Sequence, residues 1–286
     1  MSRNESNPLK QSFLALFFLC VTYIAVFSLS ALTRAWWFGC LLEVAAVVFA
    51  LLLNRFSYTC QGAPKDYDIT WKPNTPSWVA CLFLPLFVGA VMLLSLGTNA
   101  LGEWVGYNGT HDYGDNLWLS LLTSALLPAI TEEVFCRYLF LPRLTVYSRS
   151  GAILASALFF SLLHGNFVQI PYAFFAGLCL GTLAVVCKSI FPCILFHACN
   201  NAASILLHFF AHTLLPTILL YVLLGTALVC GVLVVVFRRK ILTALNCLVA
   251  KDERLLTPAR GVVGHMFTSP LVFLLILFVI EACLRF

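Results

Sequence analysis

The chain has 286 residues, of which 61% are hydrophobic and only 10% are charged, and its mean hydropathy is +0.95. A soluble domain is closer to half apolar and about a quarter charged, so this composition excludes a soluble globular protein. The net charge of +5 is no argument for nucleic-acid binding, because in a membrane protein the placement of basic residues matters more than their sum. The cysteines are scattered singly and form no CxxC motif, which argues against a disulfide framework.

Runs of about 20 apolar residues recur along the chain, which is the pattern of transmembrane helices. We therefore predict an all-α, polytopic transmembrane helical bundle of eight to nine spans, with a kink at Pro128 and a basic loop at 238–264. In chain order, the apolar segments are Ser12–Leu32, Trp37–Leu53, Ser77–Leu96, Leu117–Leu141, Gly151–His164, Phe167–Cys187, Ile190–Phe210, Leu214–Phe237 and Met266–Leu284.

The lysines and arginines predict the orientation of these segments. With the N-terminus in the cytoplasm, fourteen of the 17 basic residues fall in cytoplasmic segments, two fall outside, and Arg137 lies within the membrane. This bias agrees with the positive-inside rule. We expect a multi-pass integral membrane protein, and the short tails favour a bacterial plasma membrane.

The otherwise apolar run 117–141 contains two adjacent glutamates and an arginine. Ionised groups at membrane depth cost several kcal/mol each unless they are paired, so they mark a candidate site. Glu133 and Arg137 are four residues apart and lie one turn above each other on a helix, which predicts an ion pair. Glu132 is rotated by about 100° from Glu133, so its carboxylate points towards other helices.

Two later segments carry polar groups that this carboxylate could meet. His164 ends the fifth segment, and His197 and Asn201 lie one turn apart in the seventh. A single histidine in an apolar segment is usually packed or hydrogen-bonded, but each member of this larger set must find a partner in hydrocarbon. At 1.5 Å per residue, Glu132, His164 and His197 lie roughly 13 to 20 Å from the nearest basic loop residues, so one cavity could hold all three. Glu43 is interpreted only as pairing with another helix.

Three motifs on separate predicted helices resemble those of the CPBP family, the CAAX protease and bacteriocin-processing (Abi) group that includes the CAAX prenyl endoprotease. They are Glu132-Glu133-x-x-x-Arg137, Phe160-x-x-x-His164 and His197-x-x-x-Asn201. The glycines of Phe175–Gly181 also match, and the resemblance covers about 117–207. On this basis we divide the chain into N-terminal helices (1–116), a catalytic core (117–210) and C-terminal helices (211–286).

The resemblance implies an intramembrane endopeptidase whose substrate is a membrane-associated protein or peptide, either prenylated or processed at its C-terminus. It implies that Glu132 and His164 activate a water, that His197 and Asn201 stabilise the oxyanion, and that the supporting residues are Glu133, Arg137 and Phe160. The preferred mechanism uses no cofactor. In the alternative, zinc is bound by Glu132, His164 and His197, as one carboxylate and two imidazoles would allow.

Two further functions remain open from the sequence. A non-catalytic immunity or scaffold protein of the same family is one, since a fold does not dictate activity. An ion-coupled transporter is the other, since transporters also hold charged groups at the midplane, although we find no inverted repeat.

Overall fold

The computed structural model describes residues 17, 21, 25, 36–61, 69–72, 77–106, 113–145, 147–249, 261 and 264. Within these residues the regular elements are helices, accompanied by an isolated bridge between Thr70 and Ser189. The predicted all-α class is therefore confirmed. The helices are α1 Trp36–Gln61, α2 Ser77–Trp104, α3 Leu117–Thr145, α4 Arg149–Leu163, α5 Gln169–Cys187, α6 Phe191–Phe209, α7 Leu215–Val236 and α8 Arg238–Val249.

Four of the described helices are long and apolar enough to cross a membrane, and they support an integral membrane protein. They contain the stretches Cys81–Trp104, Leu117–Thr145, Gln169–Cys187 and Pro216–Val236. The predicted count of eight to nine spans is not confirmed. The predicted segment Met266–Leu284 lies outside the described residues, as does nearly all of Ser12–Leu32. Helix α6 has the length of a span, but its histidines and asparagines lower its hydropathy.

Helix α3 is irregular on both sides of its glutamate pair. One π-helical turn covers Leu121–Leu126, just before Pro128, and a second covers Val134–Phe140. The irregularity expected at Pro128 therefore takes the form of a π turn, which widens the helix and leaves some carbonyls without a regular helical donor. In the second π turn, the Cys136 carbonyl accepts a hydrogen bond from the Ser156 hydroxyl of α4 at 3.3 Å.

The predicted basic loop at 238–264 is wrong over its first part, because α8 occupies Arg238–Val249. In the sequence, Ile241, Leu242 and Leu245 recur at helical spacing, a pattern that predicts one apolar side although the segment begins with three basic residues. Such a basic, amphipathic segment suits the surface of a membrane. Sequence reasoning gave too much weight to the charges and too little to this periodicity.

Short connections make consecutive helices from α3 to α7 run antiparallel, so the bundle has two distinct ends. At one end, Thr70 N–H donates to the Lys188 carbonyl at 2.9 Å and its own carbonyl accepts from Ile190 at 3.1 Å. At the other, the Tyr113 ring contacts the His208 ring at 5.1 Å. We call the first the basic end, because it carries Lys72, Arg143, Arg149, Lys188, Arg238, Arg239 and Lys240.

The remaining end, which we call the opposite end, differs sharply in charge. The described residues there include Glu103 and Asp115, both exposed, and no lysine or arginine. Charge along the bundle axis is therefore strongly asymmetric.

Helices α4 and α5 cross closely because a glycine lies at their contact. A Cβ atom added at Gly177 would lie 2.8 Å from the Cα of Ala157, whereas one added at Gly181 would meet Ile153 at 3.4 Å. Small residues let helix backbones approach in this way inside membranes. The Gly177 carbonyl faces the core and accepts a hydrogen bond from Arg137 Nη2 at 3.4 Å, so this crossing also positions a polar group of the site.

We expect Gly177→Ala to destabilise the protein by about 1–3 kcal/mol, because the added methyl must push two helix backbones apart. Gly97→Ala is the matched control, since a Cβ there meets nothing within 4 Å and alanine favours a helix. Thermal unfolding of both variants in detergent measures the difference. Unfolding of Gly177→Ala at the wild-type temperature would show that the crossing is not tight.

Candidate active site

A polar cavity of about 440 Å³ lies between α1, α2, α3, the end of α4, α5 and α6. Its walls include two carboxylates, Glu43 and Glu132, together with His164 and Asn201. Irregular or polar surface at membrane depth is tolerated where it lines a water-filled space. The cavity therefore has the composition of a wet site inside an otherwise apolar protein.

Tyr113 also lines the cavity, and it precedes α3 and so lies outside that spanning helix. Burial raises the pKa of its phenol, so at neutral pH Tyr113 supplies an uncharged hydroxyl.

Next to the cavity, three charged or titratable side chains converge on one oxygen atom. Glu133 Oε1 accepts from Arg137 Nη1 at 3.0 Å and from His197 Nδ1 at 2.9 Å. Glu133 and Arg137 are both 0% exposed, and His197 is 6% exposed. The ion pair predicted from the four-residue spacing is present. The contact with His197 adds α6 to it, so this cluster joins two helices that are far apart in sequence.

Arg137 is held from two further directions. Its guanidinium carbon lies 4.4 Å from the centre of the Phe160 ring, a distance at which the face of the ring attracts a cation. Its Nη2 donates to the Gly177 carbonyl. Within the described residues, Arg137 Nε and Glu133 Oε2 are buried without a hydrogen-bond partner, so one donor and one acceptor of the cluster are unsatisfied.

Phe160 is the aromatic centre of the site. Its ring meets the ring of His164 at 4.9 Å and that of His197 at 5.5 Å, both edge to face. The same residue offers its carbonyl to His164 Nδ1 at 2.8 Å. A carbonyl can only accept, so Nδ1 carries a proton and, in the neutral ring, Nε2 carries the lone pair. Phe160 therefore sets both the position and the tautomer of His164.

The structure divides the predicted site residues into two groups. Glu132, His164 and Asn201 line the cavity, whereas His197, Glu133 and Arg137 form the buried cluster beside it. The predicted divergence of Glu132 from Glu133 agrees with this arrangement. His197 was expected to stabilise the oxyanion together with Asn201, and its Nδ1 lies 2.9 Å from Glu133 Oε1. The catalytic roles themselves stay predictions.

Glu43 is the residue that sequence reasoning undervalued. Its carboxylate lines the cavity and contacts the hydroxyl of Thr131, the residue before Glu132. Thr131 also lies within hydrogen-bond distance of the Leu127 carbonyl at 3.0 Å. The available signal was a lone acidic residue in the apolar segment 37–53, which inside a membrane marks a functional position by default.

Several neutral polar residues of the cavity were also missed. The signal for them is again a polar side chain within an apolar run, but a single hydroxyl or amide is too common in membrane helices to stand out. The group comprises Ser95, Gln169, Tyr172, Asn200 and Ser204.

The proposed zinc ligands do not form a metal-binding group. Among the described residues, no three His, Cys, Asp or Glu side chains are arranged to hold a metal ion. Glu132 and His164 line the cavity, whereas His197 directs Nδ1 to Glu133 and is not part of the wall. The donor arrangement therefore gives the zinc alternative no support.

Residues 114–203 match the family model described as type II CAAX prenyl endopeptidase Rce1-like. The match includes all three motifs and confirms the family resemblance inferred from them. Comparison with curated proteins gives no match, and neither does comparison with solved structures.

We expect Glu133→Ala to destabilise the fold by about 3–5 kcal/mol, the usual cost of breaking a buried ion pair from one side, because Arg137 and His197 would lose their shared acceptor. Equilibrium unfolding in detergent measures the loss. Glu103→Ala, which removes an exposed carboxylate at the end of α2, is the control and should stay near wild type. Equal stability of the two variants would mean that the cluster does not hold α3 and α6 together.

Proposed function

Because its motif-bearing segment belongs with the CAAX-type intramembrane proteases, we propose that this chain is an endopeptidase that cleaves a membrane-associated protein or peptide with a water activated by Glu132 and His164. The observation that carries the proposal is that Glu132, His164 and Asn201, from three different helical regions, line one polar cavity. The substrate class that the family suggests is a protein with a prenylated or otherwise processed C-terminus.

In the proposed reaction, a water attacks the scissile carbonyl carbon and loses its proton to the Glu132–His164 pair. The C–N bond then breaks, and the proton passes to the departing amine. Such positioned acid–base groups typically contribute 10²- to 10⁴-fold to a rate. The tautomer of His164 suits this task, since Nδ1 is committed to the Phe160 carbonyl and Nε2 is the nitrogen that can accept a proton.

Asn201 is the best-placed candidate donor to the developing oxyanion. Asn200 Nδ2 lies 3.5 Å from Asn201 Oδ1, a contact that turns the donor end of the Asn201 amide in another direction. Whether His197 can also donate to the oxyanion depends on its protonation. Because its Nδ1 donates to Glu133, Nε2 donates only when the ring carries both protons. The Glu133 carboxylate would then balance the positive charge of the ring.

The buried cluster supports this chemistry by positioning. Glu133 holds His197, Arg137 holds Glu133, and Phe160 contacts Arg137 and both histidines. Groups that must act within about half an ångström of a productive geometry need such a supporting layer. These residues therefore position the catalytic groups, and no step of the proposed reaction uses a metal ion.

We expect Glu132→Gln and His164→Ala to abolish cleavage while the protein still inserts and purifies in a folded state, because both side chains face the cavity rather than the core. The measurement compares peptide profiles of cells that carry the wild type or a variant, with Glu103→Gln as a carboxylate control. Wild-type peptide processing by Glu132→Gln would refute the proposed base.

We expect Asn201→Ala to lower turnover on the order of 100- to 1,000-fold, as loss of one oxyanion donor does, with little change in substrate affinity. We also expect the purified enzyme to keep its activity after prolonged chelation. Elemental analysis of the wild type and His197→Ala accompanies the assay. One zinc per chain in the wild type, lost in the variant, would overturn the metal-free mechanism.

A further inference from the structure

We propose that the active-site cavity opens at the outer face of the membrane, so that its substrate is an exported peptide or an outer segment of a membrane protein. Only the identity of the substrate depends on the proposed function. The orientation follows from where the cavity lies in the bundle and from how charge is distributed along the bundle axis.

The lining residues lie in the half of the bundle nearest the opposite end. Along α2, Met92 and Ser95 lie in the second half, which runs towards the opposite end. Along α3, Thr123 and Ser124 lie near the start, and Glu132 is at about the middle.

The cavity residues of the other helices also lie near the opposite end. Glu43 lies in the first half of α1, His164 directly follows α4, Gln169 begins α5, and Ser204 lies in the second half of α6. Each position is in the part of its helix that is nearer the opposite end. Tyr113, which precedes α3, also lines the cavity, so the lining extends from the middle of α3 to residues before the start of that helix at the opposite end.

Towards the basic end, the described part of the bundle is closed. Beyond Glu132, α3 places Phe135, Leu139 and Phe140 in the core, each at most 1% exposed, and Arg137 is 0% exposed. The rings of Phe135 and Phe140 stack on Phe159 of α4 at 5.6 and 4.8 Å. A peptide that reached Glu132 from the basic end would have to displace this packing.

The charge asymmetry then assigns the two ends to the two sides of the membrane. Basic residues in short loops remain in the cytoplasm, and every lysine and arginine whose side chain the structure describes, except the buried Arg137, is at or near the basic end. The opposite end, and the cavity with it, therefore faces outwards. A prenylated protein tail in the cytoplasm would meet the closed end, whereas an exported peptide would meet the open one.

The test uses single cysteines and a membrane-impermeant, charged thiol reagent on intact cells, with the labelled residue identified by mass spectrometry to separate it from the native cysteines. Ser204→Cys reports the cavity and Ser150→Cys, exposed at the start of α4, reports the basic end. We expect Ser204→Cys to be labelled in intact cells, and Ser150→Cys only after permeabilisation. Thr123→Cys, on another cavity wall, repeats the test if Ser204→Cys does not fold.

Labelling of Ser150→Cys in intact cells would overturn the inference, because the basic end would then face outwards. Labelling of the cavity cysteines only after permeabilisation, or not at all, would also overturn it. The readout does not depend on activity. If the cavity is labelled from outside but Glu132→Gln leaves the peptide profile unchanged, the orientation stands and the protease proposal fails. If the cavity is labelled only after permeabilisation but Glu132→Gln abolishes cleavage, the protease proposal stands and the orientation fails.

Discussion

A single carboxylate oxygen holds the centre of this protein together. Glu133 Oε1 accepts from a guanidinium of its own helix and from an imidazole of α6, all within an environment from which water is nearly excluded. Taking one partner away would leave a charge in a low-dielectric interior, and that penalty makes the arrangement hard to lose. The contact between α3 and α6 depends on it directly, and the contact of Arg137 with the Phe160 ring depends on it through Arg137.

The cavity and the buried cluster divide the polar residues between two tasks. Residues of the cluster bind one another and define where α3, α4, α5 and α6 meet, through the Arg137 contacts with Phe160 and Gly177. Residues of the cavity keep polar atoms directed at a space that water can enter. Adjacent Glu132 and Glu133 fall on either side of this division because neighbouring residues on a helix point in different directions.

The parts of the fold that the sequence predicted are those governed by local periodicity. The apolar segments from the third to the eighth begin within a few residues of the observed helices, and the Glu133–Arg137 pair follows from its four-residue spacing. The contact between His197 and Glu133 joins helices 64 positions apart, and no local pattern encodes it. The partner of Glu43 was not predicted for a related reason, since the Thr131 hydroxyl that it contacts is 88 positions away in the sequence. The helix at 238–249 was missed because charge outweighed periodicity in the interpretation.

The position of Arg137 on the same helix as Glu133 has a consequence for biogenesis. A helix that enters the bilayer with an unmatched guanidinium carries a cost of about 2.5–3.5 kcal/mol on insertion scales. Here the counter-ion is one turn away on the same segment, so α3 can neutralise the charge before any other helix arrives. Integration of α3 is thereby uncoupled from assembly of the bundle, and the later docking of α6 completes a pair that already exists.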